Sequence, residues 1–328
     1  MNPKPFFKHS RRFYLLIMLL LILAVPLSLS GFKEGGGGGG GSSSSPSSPN
    51  LSNPSSLSYT AGSYPSALAI DSSGDVWVAN ANWGSSNVME LNSSGKLIGT
   101  YAAKYHPSAL AIDSSGDVWV ANEYGDSIME LNSSGKLIGT YAAGSYPSAL
   151  AIDSSGDVWV ANEGNGTVGT ASGDSNVMEL NSSGKLIGTY AAGYHPSAIA
   201  IDSSGNVWVA NEGNGTVGTA SGDSNVMELN SSGKLIDTYA AGYHPSAIAI
   251  DSSGNVWVAN EYGDSIMELN SSGKLIGTYA AGFDPSAIAI DSSGNVWVAN
   301  EVSSNVMKFS GVAAGAQYFA CSGPQYPY

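Results

Sequence analysis

The sixteen-residue segment PSAIAIDSSGNVWVAN occurs without change from Pro196, Pro245 and Pro285, and as PSALAIDSSGDVWVAN from Pro65, Pro107 and Pro147. Near-identical units must adopt near-identical structures and bury their faces against one another, so this repetition restricts the fold more than composition does. Successive copies are spaced by 42, 40, 49, 49 and 40 residues, the length of a four-stranded propeller blade.

Each unit reads as four strands. SAIAID is a short apolar run, VWVAN is β-branched and aromatic, and the Asp-Ser-Ser-Gly between them makes a tight turn. A variable loop then leads to NVMEL or SIMEL, an Asn-Ser-Ser-Gly turn and KLIGTYAAG. A lone blade would leave both faces wet, so the expected fold is all-β, a six-bladed propeller of four-stranded antiparallel blades. LSYTAG at 57–62 matches the GTYAAG of a fourth strand. It is expected to close the sixth blade by pairing with Asn305 to Ser310, in competition with the tail GVAAGAQYFA. The once-per-blade tryptophans (Trp77, Trp119, Trp159, Trp208, Trp257, Trp297) and methionines are expected to pack between blades, and the Asp of each Asp-Ser-Ser-Gly to cap its turn.

The order Pro, apolar strand, Asp-x-x-Gly-Asn, Val-Trp-Val-Ala-Asn, loop, apolar strand, Ser-Gly resembles NHL-type repeats and the blades of virginiamycin B lyase-like proteins, over roughly 57–309. The resemblance implies a propeller, and leaves open a binding scaffold or an enzyme.

Residues 1–30 join Lys4, Lys8, Arg11 and Arg12 to the apolar run LLIMLLLILAV, as in a signal peptide or an N-terminal membrane anchor. Residues 31–56 read as a disordered Gly/Ser/Pro linker, 57–310 as the propeller and 311–328 as a tail. An extracytoplasmic location follows, with membrane contact only through the N-terminal segment. The formal net charge is −14, and without residues 1–30 it is −18, because four of the 12 basic and none of the 26 acidic residues lie there. Such a surface excludes nucleic acid as a partner. The one cysteine, Cys321, has no internal disulfide partner, and a monomer is expected.

Function is sought where the copies differ. The first and third turns are nearly invariant and share one face of the ring, whereas the second loops and the inter-blade connections share the other. The connections end in Tyr64, His106, Tyr146, His195, His244 and Asp284, each immediately before the proline and expected to be extended. The long second loops contain GNGTVG with Asn165 and Asn214; lying between antiparallel strands, they are not dinucleotide sites. These eight residues are the candidate binding set. His195, His244 and Asp284 with Glu261 and Glu301 are the candidate ligands of a divalent metal, and no cofactor is established by the sequence. No His and Glu fall together within a strand, and near-identical blades suit repeated contacts better than distinct catalytic roles. The leading expectation is therefore a non-catalytic binding scaffold of the cell envelope, contacting a polysaccharide or protein. The alternative is a metal-assisted lyase or lactone hydrolase at the channel mouth.

Overall fold

A computed structural model describes residues 59–310. The expected signal segment, linker and tail, together with Cys321, lie outside these residues. Among the described residues no helix is long and apolar enough to cross a membrane.

The first blade runs β1 (Pro65–Ile70), β2 (Val76–Asn80), β3 (Asn87–Leu91) and β4 (Leu97–Ala102), each strand antiparallel to the next. Four more sheets repeat this order, and a sixth holds three strands, β21 (Pro285–Ile290), β22 (Val296–Asn300) and β23 (Asn305–Phe309). The first strands of successive blades are neighbours and form the innermost layer. Their small Ala side chains suit that crowding, as the sequence implies.

Blade packing follows from the alternation of each strand. In the interface between the third and fourth blades, Trp159, Ala161 and Val177 pack on Val207, Val209, Met227 and Leu229. The indole N–H of each repeated tryptophan donates to the Asp that opens its turn, at 3.1 Å for Trp77 and Asp71. That same Asp71 accepts the backbone N–H groups of Ser73 and Asp75, so turn capping and tryptophan packing are one device. Trp77 also stacks on Tyr101 of the same blade with ring centroids 5.5 Å apart. The Tyr101 ring then lies against Gly135 of the next blade, where an added Cβ would fall 1.9 Å from ring carbons. Only glycine leaves room for that contact.

A bulge after each first proline turns the following serine toward the next blade. Ser66 Oγ donates to Pro107 O at 2.5 Å, and Ser197 Oγ to Pro245 O at 2.6 Å. This link recurs at all five junctions between consecutive blades; among the described residues Ser286 makes no such bond to Pro65.

The expected closing pair is not formed among the described residues, although the segment packs where the alignment places it. Tyr59 packs against Gly95 and Gly62 against Asn80, as Tyr141 does on Gly184 and Gly144 on Asn162, so this segment covers the first blade as a preceding fourth strand would. No pairing of 59–62 with β23 is present, and the sixth sheet keeps three strands. Among the described residues no tyrosine stacks on Trp297, and Lys308 Nζ lies over its ring at 4.9 Å from the centroid.

Candidate functional site

The six residues before the repeated prolines are not extended. Tyr64, His106, Tyr146, His195, His244 and Asp284 all lie in the left-handed region, with φ between 52° and 58°. Proline restricts its predecessor, but the bulge beginning each blade requires a sharp turn, and the turn prevails. A bulky side chain in this conformation costs about 1–2 kcal/mol relative to ordinary regions. Six recurrences at one rim mark it as a place where the fold over-determines the backbone.

Two hydrogen bonds impose the turn. The carbonyl of each rim residue accepts the N–H of the residue just after the second strand, as in Glu212 N to His195 O at 2.9 Å and Glu261 N to His244 O at 2.8 Å. The rim N–H donates to the loop of the previous blade, as from His195 to Ser175 Oγ and from His244 to Ser224 Oγ, both at 3.3 Å. Rim residue and carboxylate are thus backbone partners in the five later blades: His106 with Glu123, Tyr146 with Glu163, His195 with Glu212, His244 with Glu261, and Asp284 with Glu301.

Side chains complete an imidazole–carboxylate array. His106 Nδ1 is 2.9 Å from Glu123 Oε2, with both groups buried. His195 Nδ1 lies 3.2 Å from Glu163. His244 sits between two acids, Nε2 at 3.3 Å from Glu212 and Nδ1 at 3.4 Å from Glu261, and its side chain is 20% exposed. Ring stacking orients these imidazoles: Tyr262 stacks on His244 at 4.3 Å with an interplanar angle of 30°, and Tyr194 meets His195 edge-on at 4.2 Å. An imidazole held against a carboxylate and reachable from solvent can accept a proton while its partner stabilises the resulting cation.

At the first blade the rim is different in character. Trp83, 71% exposed, stacks on Tyr124 at 5.2 Å and leans on His106 at 5.7 Å. Burial first, then the charges of Glu123 and Glu163, push the Tyr124 hydroxyl up to about 12. Asp284 and Glu301 are partly buried neighbours beyond Glu261, and Tyr64 is half exposed.

The exposed Asn165 and Asn214 sit in the two long loops, each two residues after a carboxylate of this array, Glu163 and Glu212. Each loop closes on itself, through Thr167 to Asp174 and Thr216 to Asp223. Together the loops roof a cavity of about 450 Å³ between the outer strands of the third and fourth blades, lined by Val168, Tyr190, Met227, Leu229 and Leu235. It is apolar and contains none of the rim imidazoles or carboxylates.

Carboxylates also gather on the opposite, invariant-turn face. Asp71, Asp75 and Glu90, and likewise Asp153, Asp157 and Glu179, bring three ligand oxygens within 4.8 Å of one another, an arrangement able to coordinate a divalent metal. Burial raises the Glu90 and Glu179 carboxyls, partly countered by the Tyr101 and Tyr190 hydroxyls that donate to them at 2.6 Å. In the last three blades Asn206, Asn255 and Asn295 replace the second aspartate.

Sequence reasoning named His106, His195, His244, Glu261 and Glu301 but missed their pairing, and it missed Glu123, Glu163, Trp83 and Tyr124. His106 and Glu123 are 17 residues apart, so the pair is formed by backbone pairing between a connection and a loop, not within a strand. Two signals were available: Glu follows VWVAN in five of six blades, and Trp83 is the one tryptophan outside the repeated position.

The profile of the virginiamycin B lyase family matches residues 56–308. Among solved structures, virginiamycin B lyase from Staphylococcus aureus superposes with a TM-score of 0.64 at 16% identity, over 79% of this chain and 85% of that chain. A catalytically inactive histidine-to-alanine variant of that enzyme with quinupristin gives 0.63 at 18% identity, over 78% and 83%. A streptogramin B lyase gives 0.59 at 20% identity, over 73% and 76%. At these identities the superpositions speak for the fold; no curated protein matches the chain.

The expectation of a non-catalytic scaffold is therefore corrected. A lyase-family profile spans the propeller, and the rim carries imidazole–carboxylate pairs that a passive scaffold does not require. Near-identical blades are compatible with distinct catalytic roles because distinctness is confined to one rim residue and one loop per blade, while everything repeated is structural support. On the extent of that profile match, the chain belongs to the virginiamycin B lyase family.

Proposed function

We propose that this protein is a lyase acting at the variable-loop mouth of the propeller, with His244 as general base. The observation that carries this reading is His244 bracketed by Glu212 and Glu261 while its ring remains accessible. In the proposed step the buried Nδ1 of His244 stays against Glu261, and Nε2 takes a proton from the carbon beside a substrate carbonyl. The released electron pair forms a carbon–carbon double bond as the neighbouring C–O bond breaks, and the oxygen departs with its bonding electrons. Glu212 and Glu261 fix the ring and stabilise the imidazolium, a positioned-base contribution of about 10²–10⁴ in rate. His195 with Glu163 is a second imidazole–carboxylate pair on the adjoining blade.

The sequence-predicted set of His195, His244, Asp284, Glu261 and Glu301 does not gather as the ligands of one ion: among the described residues the clusters of three ligand oxygens are Asp71, Asp75, Glu90 and Asp153, Asp157, Glu179 on the opposite face, and both ring nitrogens of His244 face carboxylates. No step of the proposed reaction is therefore routed through a metal at the mouth. Export by residues 1–30, a flexible linker over 31–56, an extracytoplasmic location and a monomeric state complete the proposal, and the acidic surface supports the absence of a nucleic acid partner.

The test is turnover of quinupristin, the compound named with the Staphylococcus aureus relative. The purified protein with added magnesium, manganese or zinc is expected to consume it, and His244→Ala to lower the rate by about 10²–10⁴. An unchanged rate in a folded His244→Ala protein would reject His244 as the base.

A further inference from the structure

The rim over the first three blades holds a cluster that proton transfer does not use. Trp83 comes from the only second loop of its kind, NANWGSSN, and has no counterpart in the other five blades. It stacks on Tyr124 with an interplanar angle of 21°, Tyr124 meets Tyr146 edge-on at 5.9 Å, and His106 lies 4.6 Å from Tyr124. Trp83 is 71% exposed, so one face of its indole is covered by the stack and much of the rest is open to solvent.

Carboxylates surround these rings. Glu123 adjoins Tyr124 in the chain and meets His106 at 2.9 Å, Glu163 donates its backbone N–H to Tyr146 O at 2.9 Å and its side chain meets His195 at 3.2 Å, and Asp126 accepts the backbone N–H of Tyr146 at 3.0 Å. Lys104, the nearby cation, is exposed and makes no contact over these rings; among the described residues the cation–ring contact is Lys308 on Trp297. The matching sector of the fifth blade has Tyr262 stacked on His244 but no tryptophan above it, because the preceding loop there is the long Gly-rich one.

Aromatic faces carry negative charge density, and several of them beside carboxylates form a site for an organic cation. An uncharged apolar group would gain from the rings but not from Glu123 and Glu163, and a small hydrated metal ion would gain from the acids but not from the rings. We infer that Trp83, Tyr124 and Tyr146, with Glu123 and Glu163, form a subsite for an alkylated ammonium group of the ligand. This deepens the lyase reading by naming a chemical feature of its substrate, and its test does not depend on turnover.

Choline and its uncharged carbon isostere are titrated into the intact protein by calorimetry, with and without Trp83→Ala. The exposure of Trp83 makes this variant a safe one for folding, which circular dichroism checks. Choline is expected to bind more tightly than the isostere, and Trp83→Ala to weaken choline by about 2- to 30-fold. Equal binding of the isostere, undiminished binding of choline by Trp83→Ala, or no binding of choline at all would each overturn the subsite. Ammonium binding without quinupristin turnover would uphold the subsite and reject the substrate reading. Turnover without ammonium binding would do the reverse.

Discussion

The six left-handed rim residues invert an ordinary stability order, and Tyr64 is the place to measure it. Its φ is 55° and its side chain is 49% exposed. Replacing Tyr64 by alanine removes about 100 Å² of buried ring, worth about 2.5 kcal/mol at 25 cal/mol per Å². Glycine removes the same ring, so this large term cancels between the two variants. What differs is the backbone. Alanine keeps a left-handed penalty of about 1–2 kcal/mol, which glycine lacks. Glycine instead gives the unfolded chain extra freedom, costing about 0.5–1 kcal/mol. Tyr64→Gly should therefore be more stable than Tyr64→Ala by about 0.5–1 kcal/mol, although glycine is the poorer residue in regular structure. The same order is expected for His244→Gly against His244→Ala, where φ is 58°. Denaturant unfolding of the four variants measures it. Alanine equal to or more stable than glycine at both positions would refute the claim that the rim stores backbone strain.

The Tyr–Glu pairs predict an unusual pH dependence. Burial raises the carboxyls of Glu90, Glu130, Glu179, Glu228 and Glu268, so each binds a proton more readily folded than unfolded. Stability contributed by the protonated form is present below the ordinary value of 4.5 and is lost as pH rises through the raised folded value. Denaturation midpoints should therefore rise as pH falls from neutrality into that window, and Glu130→Gln, which still accepts from Tyr141, should flatten the rise. Asp291 has the opposite sign. Burial would raise it, but hydrogen bonds from Trp297, Asn295 and Ser293 hold it at about 2, so its contribution is lost only as pH falls toward that value. For the blade junctions, Ser197→Ala should cost about 1–3 kcal/mol by stripping the buried Pro245 carbonyl of its donor. Ser286→Ala, where no such bond is present, should cost less than about 0.5 kcal/mol by the same unfolding measurement.

The repeated residues were legible because each does its work locally. Asp-Ser-Ser-Gly specifies its turn, VWVAN its strand, and the wedge-filling tryptophans their own burial, so six sheets follow from six copies. The site was less legible because it is assembled from residues that no strand brings together. His244 meets Glu212 from the previous blade and Glu261 from its own, through a left-handed turn that a residue before proline does not advertise. The sixth blade shows the same limit. Tyr59 takes the packing position its alignment with Tyr141 implies, but the described segment does not pair with β23, since strand pairing depends on where the two ends of the ring meet and not on local pattern.

The central claim is that the mouth performs elimination, and isotope labelling tests it most directly. Quinupristin is incubated with the wild-type protein in water enriched in heavy oxygen, and the products are analysed by mass spectrometry. A lyase breaks the C–O bond without adding water, so the account predicts label-free product whose total mass equals that of the substrate, formed about 10²–10⁴ times more slowly by His244→Ala. A product that has gained one labelled water would identify a hydrolase, and an intact substrate under every metal tested would contradict the proposed activity on this compound.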